Sequence, residues 1–153
     1  MTTNDKVAVA IAIIQQNDTF LMQLRDDLPN ILFPGHWGFF GGHLDPGETA
    51  DQAIRRELDE EIGHIPEEIH LFERTEDERV IRYFYQAELR VPITALELNE
   101  GQDIGLCDIA DIQRGYKYSS KLQEDRPLGS PHQQALLTFL RLNSNQPSTE
   151  CIQ

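Results

Sequence analysis

GHLDPGETADQAIRRELDEEIG, residues 42–63, carries more chemistry than any other stretch of the chain and decides its fold. Its centre predicts a helix. Thr49 is a good N-cap with Gln52 three residues on as its capping-box partner, and Gly63 ends the run where a left-handed C-cap is wanted. Pro46 and Gly47 belong to the turn before it. At about 100° per residue, Ile54, Leu58, Ile62 and Ile65 form one apolar stripe, the side expected to be buried. Glu57, Glu60 and Glu61 lie beside that stripe, spaced by three and four residues so that they share one face. Ala50 and Ala53 precede them on the same face and are expected to leave open space above it.

Carboxylates at that spacing repel one another, and only Arg56 is near enough in sequence to offset much of the repulsion. A hard divalent cation would neutralise them, since Mg²⁺ takes oxygen ligands from one or two carboxylates together with waters and substrate phosphates. The alternative is an acidic face turned to solvent. The surrounding pattern favours the cation. Gly, five residues, Glu, seven residues, Arg-Glu, an aliphatic residue, any residue, Glu-Glu, any residue and Gly is filled by Gly42, Glu48, Arg56, Glu57, Leu58, Glu60, Glu61 and Gly63. The stretch resembles the Nudix box. His64 stands where that box ends in an aliphatic residue, and Ile65 is expected to supply the apolar contact instead.

The resemblance implies a hydrolase of nucleoside diphosphates linked to a further group X, with Mg²⁺ or Mn²⁺ held on the pyrophosphate by the box glutamates. Carried over, Glu57, Glu60 and Glu61 are the metal-binding and catalytic carboxylates. Arg56 and Glu48 form a supporting ion pair that orients the helix, and Gly42 brings backbone close to the metal site. Relatives often add one carboxylate from a later loop, and Glu100 in NEGQD is the first choice here, Asp103 the second. The chemistry stands on physical grounds as well. Divalent ions screen the pyrophosphate oxygens and lower the pKa of a bound water, and a carboxylate can accept the proton. Which glutamate serves as base stays open.

Composition bounds the remaining classes. The chain has 153 residues, enough for a substantial core and expected to make one domain. A net charge of −13 argues against a nucleic-acid binder and allows a small phosphorylated ligand bridged by metal. There is no long apolar run and no signal-type N-terminus, so no membrane partner and a cytoplasmic location are expected. Cys107 and Cys151 are too few for a disulfide framework and are read as reduced thiols.

Residues 7–14, VAVAIAII, predict a strand covered on both faces; 15–18 predict a turn and 19–24 a returning strand. Residues 25–36, RDDLPNILFPGH, predict a loop of functional length, and WGFFGG leads as a strand into the box. Trp37 is a candidate for stacking on a nucleobase or sugar, with core packing as the alternative, and His43 is a candidate phosphate contact. A short strand is expected at 69–74 and a long one at 79–90, with Ile81, Tyr83, Tyr85, Ala87 and Leu89 on one face. Arg82 on the other face is a candidate phosphate contact, or half of a surface ion pair.

Residues 113–130 are polar and carry Arg114, Lys117, Lys121 and Arg126, which predicts either a lid over an anionic ligand or a mobile surface loop. Ser130, Pro131 and Gln133 predict a capped start to a C-terminal helix, and 143–153 predict a frayed tail. The expectation is an α/β protein, an α/β/α sandwich of the Nudix type around a central mixed sheet, with one helix on each face. Its expected activity is hydrolysis of a nucleotide pyrophosphate linkage, with nucleotide sugars or ADP-ribose ahead of (d)NTPs because WGFF and 113–130 could enclose a second ring. The competing class is a Nudix-fold module that senses a nucleotide without cleaving it. A homodimer is compatible with the resemblance.

Overall fold

A computed structural model describes residues 6–31 and 33–144. Its first strand, β1 (Val7–Gln16), is the spine of a mixed sheet. Over its whole length β1 runs parallel to β6 (Val80–Glu88), with Val7 opposite Val80 and Gln15 opposite Glu88. On the other edge it forks. Val9–Ala12 pair antiparallel with β4 (Phe40–His43), and Gln15 and Gln16 pair with the start of β2 (Thr19–Leu24) across a turn at Asn17. The short β3 (Trp37–Gly38) pairs with the far end of β2, so WGFFGG makes two strands interrupted at Phe39. β5 (Ile69–Glu76) flanks β6, running two residues beyond the expected strand, and β7 (Asp103–Cys107) flanks β2.

Alternation along β1 sorts the core into two layers, because successive side chains leave a strand on opposite faces. Ala10, Ala12 and Ile14 meet Ile54, Leu58 and Ile62 of α1 (Ala50–Ile62) on one face. Ile13 meets Leu136 and Phe139 of α3 (Ser130–Ser144) on the other, joined by Ile112 of α2 (Ile109–Arg114). One helix on each face of a mixed sheet is the α/β/α sandwich expected. Phe139 fixes α3 through edge-on contacts with Phe20 and Phe72, at centroid separations of 5.9 and 4.9 Å.

α1 begins and ends as its sequence dictates. The Thr49 hydroxyl accepts from the Gln52 amide at 3.1 Å, the Gln52 side chain accepts from the Thr49 amide at 2.9 Å, and Gly63 takes a left-handed φ of 65°. Two neighbouring expectations are corrected. Ile65 is 41 % exposed and supplies no core contact for the box; the chain turns past Gly63 and buries Pro66 instead. Ala53 is fully buried against the sheet, so no open space lies above it.

Three further corrections concern the second half. Tyr116–Ser119 and Glu124–Pro127 form β8 and β9, a two-stranded antiparallel hairpin, so 113–130 is not an irregular surface loop. Ser130 lies inside α3, because the Gln133 amide donates to the Gly129 carbonyl at 2.9 Å. The Gln133 side chain makes no capping box; its amide donates to the Ile112 carbonyl at 2.8 Å and ties α3 to α2. Asn143 and Ser144 belong to α3, and the rest of the expected tail, with Cys151, lies outside the described residues. Cys107 is buried, and that burial pushes its thiol up to about 12, which leaves it protonated and inert. Among the described residues, no helix is long and apolar enough to cross a membrane.

Candidate functional site

The site lies where the C-terminal half of α1 meets β4. Two glycines make that meeting close. Gly41 has a φ of 147°, and any Cβ on it would run into the Ala10 carbonyl of β1; a Cβ on Gly42 would run into the Glu57 carboxylate. Backbone therefore reaches the helix where side chains would hold it off, and the Gly41 amide donates to Glu61 Oε1 at 3.1 Å.

A loop closes the other side. Helix ends leave carbonyls without intrahelical partners. Here Asn99 Nδ2 donates to the Glu60 carbonyl at 3.0 Å, the Asn99 amide to that of Glu61 at 3.0 Å, and the Glu97 amide to that of Ile62 at 2.9 Å. Docking those three carbonyls carries Glu100 to Glu61. Sequence reasoning selected Glu100 but missed Asn99 and Glu97, whose part is visible only once the loop is seen against the helix end.

The three box glutamates stand in different surroundings. Glu61 is 4 % exposed, Glu57 is half-buried, and Glu60 points largely to solvent. Burial is the main cause that pushes the Glu61 carboxyl well above the usual range; hydrogen bonding to Glu57 and the charge of Glu100 add to it. Arg56 holds the outer carboxylates. Its Nε and Nη2 bond Glu48 at 2.7 and 3.0 Å, Nη1 reaches Glu57 at 3.1 Å and Glu60 at 3.2 Å, and Nη2 also donates to the His43 carbonyl at 3.0 Å. The fork on Glu48 is the bidentate geometry that Lys could not supply. It holds Glu48 below the usual carboxylate range and Arg56 above its own.

The donor set suits a hard cation: oxygen ligands alone, one of them buried and short of positive charge. Among the described residues, no three acidic, His or Cys side chains already converge as a cage. Glu57 stands between Arg56 and Glu61, and Glu60 is drawn to Arg56, so bringing Glu60 to an ion beside Glu61 requires it to turn from the guanidinium.

Beside Gly41–His43, on the α3 face, opens a cavity of about 330 Å³. Val9, Ile11, Phe39, Phe40 and Phe84 wall it, and Arg25, Arg82 and His132 bring polar groups into it. Arg82 lines the cavity while its Nη1 pairs with Asp77 at 3.1 Å. His43 sits exposed at the mouth. Trp37 does not take part. It is 1 % exposed, its indole N–H donates to the Lys117 carbonyl at 3.0 Å, and the Lys117 ammonium lies 5.4 Å above the ring, so it has no face left for a ligand. His132 was not anticipated, because a lone His beside Pro131 carries no signal of its own.

Comparison with known proteins agrees with this geometry. The family model for the NUDIX domain matches residues 4–126. Over 56 residues the chain is 41 % identical to the nucleoside triphosphatase NudI of Enterobacter sp. (strain 638), a match covering 36 % of this chain and 38 % of that protein. The same enzyme from Escherichia coli (strain K12 / DH10B) is 38 % identical over 56 residues. The chain thus aligns with well under half the length of these curated relatives. Among solved structures, the NUDIX domain of Shewanella oneidensis NrtR, complexed with ADP ribose, superimposes with a TM-score of 0.69 over 92 % of this chain and 90 % of that one at 19 % identity. A MutT structure from a study of Aliivibrio salmonicida and Vibrio cholerae gives a TM-score of 0.61 at 26 % identity, over 72 % of this chain and 86 % of that one.

Proposed function

The chain belongs to the Nudix family, and on that premise we propose that it hydrolyses the pyrophosphate linkage of a nucleoside diphosphate joined to a further group, using Mg²⁺ or Mn²⁺. The observation that carries the proposal is the buried Glu61, with Glu57 and Glu100 against it and an apolar cavity of about 330 Å³ next to it. Glu57 and Glu61 would hold the ion, with Glu60 and Glu100 completing the set. A bound divalent ion supplies neutralisation of the pyrophosphate oxygens and a water of lowered pKa.

The chain's own residues do the rest. Arg56, anchored by Glu48 and the His43 carbonyl, fixes α1 against the loop before it and keeps the outer carboxylates in reach. Gly41 and Gly42 let backbone close on the phosphates' side of the site. Arg82 and the exposed His43 are positioned to meet phosphate oxygens between the acidic cluster and the cavity, whose apolar walls suit the nucleoside.

Of the segments expected to enclose a second ring, Phe39 and Phe40 of WGFF wall the cavity, Trp37 is buried, and no residue of 113–130 lines it, which weakens the case for a nucleotide sugar. The local likeness to a nucleoside triphosphatase supports a triphosphate as substrate instead. Intact box carboxylates favour hydrolysis over nucleotide sensing. The test is product release from dNTPs, ADP-ribose and nucleotide sugars with Mg²⁺ or Mn²⁺, against EDTA controls, a coupled phosphatase reporting monoester products. Metal-dependent release from triphosphates is expected. Silence across the panel, with nucleotide still raising Tm, would replace the hydrolase by a sensing module.

A further inference from the structure

We infer that His132 determines which heterocycle the cavity accepts, by presenting its Nε2–H to an oxo group of the ligand's base. The inference deepens the proposed function and rests on its placing of the nucleoside in this cavity.

The tautomer follows from one bond. The Phe39 amide donates to His132 Nδ1 at 3.2 Å, so Nδ1 carries a lone pair and the proton of the neutral ring is on Nε2. The ring stays neutral, because burial, followed by the positive charges of Arg25 and Arg82, holds its pKa down to about 4. Its position is equally constrained. The imidazole lies 5.3 Å from the Phe39 ring and packs over Gly38, where an added Cβ would sit 3.3 Å from Nε2. Among the described residues, Nε2 meets no hydrogen-bond partner, and His132 lines the cavity.

The company of that donor gives it consequence. Besides His132, the polar side chains of the lining are Arg25 and Arg82, which only donate, and His43 at the mouth. Among the described residues, no Asp, Glu, Asn, Gln, Ser, Thr or Tyr side chain lines it. At Nε2 an exocyclic amino group would set donor against donor, whereas an oxo group would find a partner. Sites built to bond one polar group discriminate against an analogue that leaves their buried donors unpaired. The cavity is therefore matched to bases with an oxo group at pyrimidine C4 or purine C6, uracil, thymine, hypoxanthine or guanine, over cytosine and adenine, which carry an amino group there.

Two readouts on the whole chain keep this separate from the hydrolase proposal. The first is calorimetric binding of UMP, dTMP and IMP against AMP and CMP in EDTA; the second is Mg²⁺-dependent hydrolysis of the corresponding triphosphates. The oxo-bearing nucleotides should bind at least about tenfold tighter, the worth of one net hydrogen bond. His132→Phe should reduce the preference to within about twofold, while His132→Asn, which can accept from Phe39 and still donate, should keep it. Equal binding of all bases by the wild type, or a preference unchanged in His132→Phe, overturns the inference even if hydrolysis is robust. Base preference without hydrolysis supports the inference and sinks the hydrolase. Should His132→Phe fail to fold, the wild-type order decides, and binding that is equal or favours adenine overturns the inference.

Discussion

The two faces of the sheet bury similar apolar layers yet each holds a titratable group, Glu61 on one and His132 on the other, in opposite ways. Under α1, Glu61 is packed against Glu57 and Glu100 with a single backbone amide for company. Under α3, His132 is neutral, anchored through Nδ1 and packed beside the Phe39 ring. The first is a carboxyl kept protonated by its surroundings, which a cation would ionise; the second is a finished interaction with one donor to spare. A ligand has free energy to contribute on one face and information to be read on the other.

The sharpest way to break this contrast is Glu61→Gln, which keeps the shape and removes the carboxyl that a cation would ionise. Turnover should fall by about 10³-fold, comparable to losing a single preorganised electrostatic group, and the Mg²⁺-induced rise in Tm should vanish with it. Full activity in the variant would remove Glu61 from the site. Next in size is Leu58→Ala in the α1 layer, which should cost about 3 kcal/mol in urea unfolding, as a fully buried leucine does when it leaves a cavity. Phe139→Ala should cost the α3 layer a similar amount; a large disparity would show that the layers are unequal supports.

Acidity tests the contrast directly. Burial raises the Glu61 carboxyl from 4.5 to about 10, so between those values the folded state binds more protons at this site than the unfolded one, and stability falls as pH rises. His132 behaves in the reverse sense. Between its unfolded value of 6.5 and its folded value of about 4 the unfolded chain binds the extra proton, so stability falls as pH falls through that window. In EDTA the two slopes offset one another between about pH 4.5 and 6.5, and Tm should decline only as pH rises above 6.5. Glu61→Gln should remove that alkaline decline and uncover a fall in Tm as pH drops from 6.5 towards 4; a variant whose Tm stays flat over the acid window would contradict the assignment of His132. The smallest effect belongs to the helix that carries the site: Thr49→Ala should cost about 1 kcal/mol, read as a shift in urea midpoint without change in slope.

Local signals were the legible ones. Thr49, Gln52 and Gly63 act within a few residues of themselves, and the strand periods around 7–14 and 79–90 report burial without reference to distant partners. What could not be read depends on contacts remote in sequence. Ile65 has the right spacing for the stripe, but the chain has left the helix by then. The 116–127 hairpin is polar on its surface and buries little besides Ser119, so its composition looks like a loop. Glu57, Glu60 and Glu61 are chemically identical in the sequence, and only the approach of Gly41 and the 97–100 loop makes Glu61 the buried one. His132 gains its role from Phe39, 93 positions away.

The fork of β1 has a kinetic consequence. β1 joins β6 across the chain, tying Gln16 to Leu89 over 73 positions, and everything between, α1 included, must be threaded into that closure. The β5–β6 and β8–β9 hairpins can close on microsecond timescales by comparison. The long parallel pairing sets the pace of folding, because its loop entropy is lost before its contacts are gained. The acidic cluster, held between β4 on that same strand and the end of α1, is thus assembled among the last parts of the molecule. A divalent ion meeting the nascent chain finds scattered carboxylates, and it finds the site only when the sheet is complete.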